Sequence, residues 1–317
     1  LAVLAKGYQR ETPIWLGIDE IKLKRFRAIF TNLHGRSLID MLPNRYVSTV
    51  TAFLASLPDN KRITHVAIDM WAGYRRAVQE ALPNAKIVVD KFHVLMKANM
   101  AFEAVRRKIA RESSNGAGLG LKRAHKLFDM RAKDLTDEQY LTVSGWLNTF
   151  PLLAAAYDLK ERLYAIYDVT TPEEAWGEYL HWESTIPNEL VKPYRVVKTA
   201  FRNWRPYILN YFDDQRVTNA FTESFNAKVR AVYRNGRGYT FERLRAKVLY
   251  TDRFQKRVAM QEKVRVRKQK FEDVAVARFM FLASTMDDEY ETRIRSREAN
   301  LGVDLSTLER TFDSGEF

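Results

Sequence analysis

Up to about residue 90 the chain alternates short hydrophobic runs with polar breaks; beyond that, apolar residues return every three or four positions. The first pattern predicts strands near 13–23, 26–33, 36–42, 63–69 and 85–90, since strands are short apolar runs bounded by turn residues. Helices are expected over 47–57 and over 72–82, the second closed by Leu82-Pro83-Asn84. His34 and Gly35 in "TNLHGRS" supply a turn, which makes the first three strands an antiparallel meander. Strands interleaved with helices in this way define an α/β unit.

From about 94 to 210 the periodicity is that of long helices. Two capping boxes mark helix starts, Thr136 with Gln139 and Thr171 with Glu174, and Pro172 takes the first helical position of the second. "SSNGAGLG" (113–120) is expected to be a loop, because its Gly and Ser content sustains neither period. A further helix is predicted over 216–234 and is broken by "RNGRGYT". A basic helical segment follows through "RFQKRVAMQEKVRVRKQK" before the chain turns acidic at "DDEYE".

Two of the strands end alike, "LGID" on Asp19 and "VAID" on Asp69. Neighbouring strands would bring these carboxylates within a few ångströms of each other. At low dielectric such a pair shares a proton or recruits a divalent cation, and oxygen ligands suit Mg2+ or Mn2+. The helix around 223 offers a third acid. Its apolar residues Val217, Phe221, Phe225, Val229 and Val232 fall on one face, with Asn219, Glu223, Asn226 and Arg230 opposite. Glu223 is the sole carboxylate between Asp214 and Glu242. Each acid also has an ordinary reading: a cap or turn for a strand-terminal Asp, a solvated helix position for Glu223.

Charge and composition narrow the chemistry. With 52 Lys and Arg against 39 Asp and Glu, the net charge is +13 and the pI about 9.7, as expected of a protein that meets a polyanion, nucleic acid first. The absence of Cys excludes disulfides, thiolate nucleophiles and Cys-held zinc, so a metal must be held by oxygen or imidazole. No run approaches the roughly 18 apolar residues of a membrane span, and the start lacks the apolar core of a secretion signal; an intracellular protein is expected. His34, His65, His125 and His181 lack partners at ligand spacing and are expected to be structural.

"GIDEIKLK", "AIDMWAGYRRAVQEALPNAKIVVDKFHV" and "TNAFTESFNAKVRAVYRNGRGY" resemble, in order, the three acid-bearing blocks of DDE transposases of the RNase H-like superfamily, in particular the ISL-three family of bacterial insertion-sequence transposases. The resemblance covers about 14–250, and the second block is its most specific part. It implies an α/β, RNase H-like mixed sheet, an antiparallel meander plus parallel strands, interrupted by a large all-helical insertion. The implied divisions are 1–93 for the first part of the catalytic core, 94–212 for the insertion, 213–250 for the second part of the core with its Glu, and 251–317 for a basic helical tail.

The resemblance further implies Asp19, Asp69 and Glu223 as catalytic ligands of two Mg2+ (or Mn2+) ions, with Asp90 and His93, an Asp-x-x-His motif, placed behind them. The implied reaction is metal-dependent cleavage and strand transfer at the ends of an insertion sequence. The implied partner is double-stranded DNA, both element ends and target, engaged by a homo-oligomer in the bacterial cytoplasm at the nucleoid, with no membrane involved. Arg75, Arg76, Lys228, Arg230, Arg234 and Arg237 are expected to meet phosphates. Related transposases stack a flipped base on an aromatic of the insertion, for which Trp176, Trp182 and Trp204 are candidates. The family's amino-terminal zinc-binding segment and helix-turn-helix have no counterpart in the sequence, so the end-reading module is expected to be missing or removed. Two other readings stand beside this one: another RNase H-like metal-dependent DNA endonuclease, and a catalytically silent basic DNA-binding protein.

Overall fold

The computed structural model describes residues 11–251 apart from 114, 214 and 215. The strands β1 (Trp15–Lys22), β2 (Phe26–Asn32), β3 (Ser37–Leu42), β4 (His65–Ile68) and β5 (Lys86–Val89) form one sheet in the order β3-β2-β1-β4-β5. β1, β2 and β3 run as the expected antiparallel meander, while β4 pairs parallel to β1 and β5 parallel to β4. The fold is α/β.

Strand alternation sorts β1 into two faces. Leu16 and Ile18 enter a core with Phe30, Val66 and Ile68, shared with helices α1 (Val47–Ala55) and α2 (Ala72–Ala81) through Phe53 and Tyr74. The Phe30 and Phe53 rings lie 4.4 Å apart. Gly17, Asp19 and Ile21 point to the opposite face. There Ile21, Ile29, Leu38 and Met41 pack with Phe225 and Val229 of α10 (Ala220–Asn235) and with Leu244, Val248 and Leu249 of a helix α11 over 241–251.

An ion pair ties α11 to the sheet edge. Asp40 on β3 is fully buried, and Arg245 grips it with two hydrogen bonds, Nε to Oδ1 at 2.6 Å and Nη2 to Oδ2 at 2.7 Å. Arg245→Met should therefore destabilise the chain by about 1.5–3 kcal/mol, because it removes two charge-assisted hydrogen bonds from a buried carboxylate. Chemical denaturation of the two proteins checks this, and a loss below about 0.5 kcal/mol would contradict it.

Between β5 and α10 the described chain is helical: α3 (Lys91–Glu112), α4 (Asn115–Arg123), α5 (His125–Asp129), α6 (Asp137–Thr149), α7 (Pro151–Ile166), α8 (Pro172–Ser184) and α9 (Val191–Leu209), with short 3-10 turns. Both expected capping boxes form, at Thr136 and Thr171. The core is continuous from the sheet into this block through Val94, Ala98 and Phe102 of α3. Lys160 is fully buried and donates to the carbonyls of Phe128 (2.7 Å) and Met130 (2.9 Å) beside Glu161, which fixes α7 against the α5 end.

Residues 113–120 differ from expectation, since most of them belong to α4 rather than to a loop. Two of their three glycines, Gly118 and Gly120, allow close packing. A Cβ on Gly118 would lie 2.4 Å from the Ala110 carbonyl oxygen, and one on Gly120 would lie 2.5 Å from the Trp146 ring. The helix expected from 216 starts at Ala220, with Asn219 as N-cap. The expected basic helix after α11 lies outside the described residues. No described helix is long and apolar enough to cross a membrane.

Candidate active site

The parallel pairing of β1 and β4 places two acids side by side. Gly17 pairs with Ala67, so two residues further on Asp19 stands level with Asp69, on strands about 4.8 Å apart. Both point to the α10 face. Asp19 is 6% exposed, and its Oδ2 accepts a 2.7 Å hydrogen bond from Asn226 Nδ2. Asp69 Oδ1 accepts from the Trp71 amide at 3.1 Å.

α10 reaches the sheet through a polar seam. Asn219 Nδ2 donates to the Ile18 carbonyl at 3.0 Å, and the hydroxyls of Thr222 and Thr31 lie 2.6 Å apart. Asn219, Thr222 and Asn226 are buried, so the polar stripe of this helix faces β1 rather than solvent. Gly17 makes the approach possible: a Cβ there would fall 2.4 Å from Thr222 Oγ1 and 2.5 Å from Asn219 Oδ1. The seam sets Glu223, in the first turn of α10, in the same cleft as the two aspartates.

Two more groups complete the wall. Asp90 ends β5, caps α3 and is 1% exposed; His93 follows in the first turn of α3. Asp90, His93 and Glu223 each present a donor atom within 4.8 Å of the others. His93 Nε2 stands 3.7 Å from Glu223 Oε1, too far for a hydrogen bond. Asp19, Asp69, His93, Glu223, Asn226 and Arg230 line a cleft of about 470 Å³.

The electrostatics are those of crowded acids. Burial, then the charges of Asp69 and Asp90, push the Asp19 carboxyl up to about 7. Burial raises Asp69 to about 6, and burial with Asp90 and Asp19 raises Glu223 to about 7. Burial and the nearby Lys97 ammonium lower His93 to about 4, leaving a neutral imidazole at pH 7. Asp90 Oδ2, His93 Nε2 and Asn226 Oδ1 are buried without a hydrogen-bond partner. Unpartnered buried atoms beside mutually repelling carboxyls fit a divalent cation, and the oxygen-rich donor set suits Mg2+ or Mn2+.

A pH dependence follows from the raised carboxyls. The stability they contribute is full below their ordinary values, 3.8 for Asp and 4.5 for Glu, and is lost as pH rises through about 6 to 7. A cation competes with those protons, so Mg2+ should raise the melting temperature clearly at about pH 8 and hardly at about pH 5. Equal shifts at both pH values, read by thermal melts with and without Mg2+, would place the cation elsewhere.

A transposase family model matches residues 16–248, well over half of the chain. The chain belongs to the ISL-three family of transposases. It is 24% identical over 235 residues to the transposase for insertion sequence element IS1001 of Bordetella parapertussis, covering 71% of this chain and 57% of that protein. It is 28% identical over 256 residues to the transposase for insertion sequence element IS1557 of Mycobacterium tuberculosis, covering 71% and 56%. The chain thus spans little more than half the length of these curated relatives.

In this ISL-three transposase chain the sequence-derived cations are dispersed. Arg230 lines the cleft, whereas Arg76, Lys228, Arg234 and Arg237 are exposed and do not line it. Arg75 instead lies over the Trp204 ring at 4.6 Å, joining α2 to α9. Of the tryptophans, Trp182 is core, its Nε1 donating to the Leu159 carbonyl at 2.8 Å, and Trp176 carries Arg205 at 3.8 Å from its ring. Sequence reasoning did not single out Gly17, Thr31 or Thr222. Their signal is small or polar residues at positions where a strand and a helix would otherwise present apolar side chains.

Proposed function

We propose that this transposase chain cuts and joins DNA strands at the ends of an insertion sequence, on an RNase H-like core, with Asp19, Asp69 and Glu223 holding two Mg2+ or Mn2+ ions. One observation carries the reading: acids from β1, from the end of β4 and from α10 converge in one cleft among buried polar atoms that lack partners. An antiparallel meander followed by parallel strands, with acids on the first strand, after the fourth and on a late helix, supports the RNase H-like assignment. The divisions at 93, 212 and 250 are part of the same proposal.

Bound there, such ions would supply Lewis-acid stabilisation of charge during in-line displacement at a phosphodiester by water or a 3′-hydroxyl. The chain's own residues do the rest. Asn226 and the Trp71 amide fix the orientation of Asp19 and Asp69. Neutral His93 borders Glu223 and Asp90, and Arg230 presents a guanidinium to an approaching phosphate. The +13 charge supports double-stranded DNA as partner; a homo-oligomer on DNA at the bacterial nucleoid is the family-based expectation.

Incubation of the full-length protein with Mg2+ and duplexes bearing or lacking element ends tests the reading. End-specific nicks with joined products are the expected result. End-independent cutting without joining would favour a plain endonuclease, and tight binding without cutting a silent DNA-binding protein.

A further inference from the structure

Asp90 caps α3 and His93 follows three residues later, so the two lie on one face of its first turn. A hydrogen bond from the His93 amide to the Asp90 carbonyl, at 3.1 Å, holds that turn. α10 brings Glu223 to the same place, and the donor atoms of the three residues lie within 4.8 Å of one another. Among the described residues no other group of three or more acids and histidines is gathered so closely. The cap uses Asp90 Oδ1, which accepts from the Phe92 amide at 3.5 Å, and leaves Oδ2 of this 1% exposed residue without a hydrogen-bond partner. His93 Nε2 is likewise buried and has none. A helix cap accounts for Oδ1 alone; Oδ2 and Nε2 call for a further partner.

The spacing suits a single ion. Ligands bonded to a small divalent cation at about 2.0–2.2 Å stand about 3 Å apart when adjacent and about 4.3 Å apart when opposite. The 3.7 Å from His93 Nε2 to Glu223 Oε1 falls inside that range, and a small side-chain rotation brings the rest of the 4.8 Å group within it. We propose that one divalent cation of the cleft is held by His93 Nε2 with Asp90 and Glu223, a mixed nitrogen and oxygen set that takes Mn2+ in preference to Mg2+. A carboxylate and a His three residues apart, completed by carboxylates from other helices, is donor chemistry that di-manganese proteins use, whereas Mg2+ takes oxygen and keeps its waters. The set shares Glu223 with the proposed trio and rests on the transposase reading for what the ion does there, not for what binds it.

The test adds Mn2+ or Mg2+ to the metal-free full-length protein, reads affinity by calorimetry, and looks by pulsed electron paramagnetic resonance for magnetic coupling between bound Mn2+ and an imidazole nitrogen. The wild-type protein should show the coupling, and His93→Gln should remove it. Losing even an outer partner of a metal ligand costs about 10–100-fold in affinity, so His93→Gln should weaken Mn2+ binding by at least about tenfold, and Mg2+ binding far less. Asp90→Asn keeps an oxygen for the cap and should weaken Mn2+ binding while retaining the coupling at saturation. His125→Gln, exposed and outside the cleft, should change neither. No coupling in the wild type, coupling that survives in His93→Gln, or equal weakening of both ions overturns the assignment. If such a protein still nicks and joins element ends, the assignment fails alone; if Asp19→Asn and Glu223→Gln also leave metal affinity and cleavage unchanged, the proposed function fails with it.

Discussion

Asp19→Asn, Asp69→Asn and Glu223→Gln should each lower DNA cleavage by on the order of a thousandfold, the scale set by losing one preorganised group that stabilises transition-state charge. The same substitutions should make the protein more stable. At neutral pH the three carboxyls are held up to about 7, 6 and 7, by burial first and, for Asp19 and Glu223, by their neighbours' charge, so a neutral amide relieves both costs. A relief of about 1 kcal/mol corresponds to a rise of roughly 1.5 °C in Tm for a chain of this size. Asn at 19 also leaves an oxygen for the Asn226 amide. Activity and stability moving in opposite directions distinguish a working site from a structural acid cluster. Nicking assays paired with melts decide it; a variant that still cuts at the normal rate removes that residue from the trio.

Gly17→Ala should have the second large effect. The new methyl would meet Thr222 Oγ1, Asn219 Oδ1 and Thr31 Oγ1 at 2.4, 2.5 and 2.6 Å, and all three atoms are held by hydrogen bonds. α10 must shift away from β1, which should cost about 2–3 kcal/mol in overpacking and lost bonds. Glu223 moves with it, and a displacement near 1 Å should cost cleavage about a hundredfold. Gly145→Ala is the matched control, because a Cβ there meets nothing within 4 Å. It should leave cleavage intact and gain about 0.5–1 kcal/mol from helix propensity. If Gly17→Ala behaves like the control in melts and cutting, the seam does not position Glu223.

Much of this was legible in the chain because the relevant signals are local. Strand alternation and the turn at His34-Gly35 gave the meander, and the aspartates at the ends of "LGID" and "VAID" gave two walls of the cleft. Thr136 and Thr171 announced helix starts through bonds spanning three residues. What stayed hidden depends on distant partners. The glycines of 113–120 signal a loop by composition, yet α4 uses Gly118 and Gly120 to approach Ala110 and Trp146. Asn219 and Asn226 signal a wetted helix face, yet their partners are the Ile18 carbonyl and Asp19 on the sheet. A polar side chain is compatible with burial once it is bonded, and nothing nearby in the sequence names the partner.

The bond from Asn226 to Asp19 joins positions 207 apart. Ribosomes add about 5–20 residues per second, so roughly 10–40 s separate the emergence of the two ends of that bond. A nascent chain, or a product of premature termination inside the helical block, carries both aspartates and lacks the glutamate. On the proposed function, such fragments lack one of the three acids and do not cut DNA before α10 has been made.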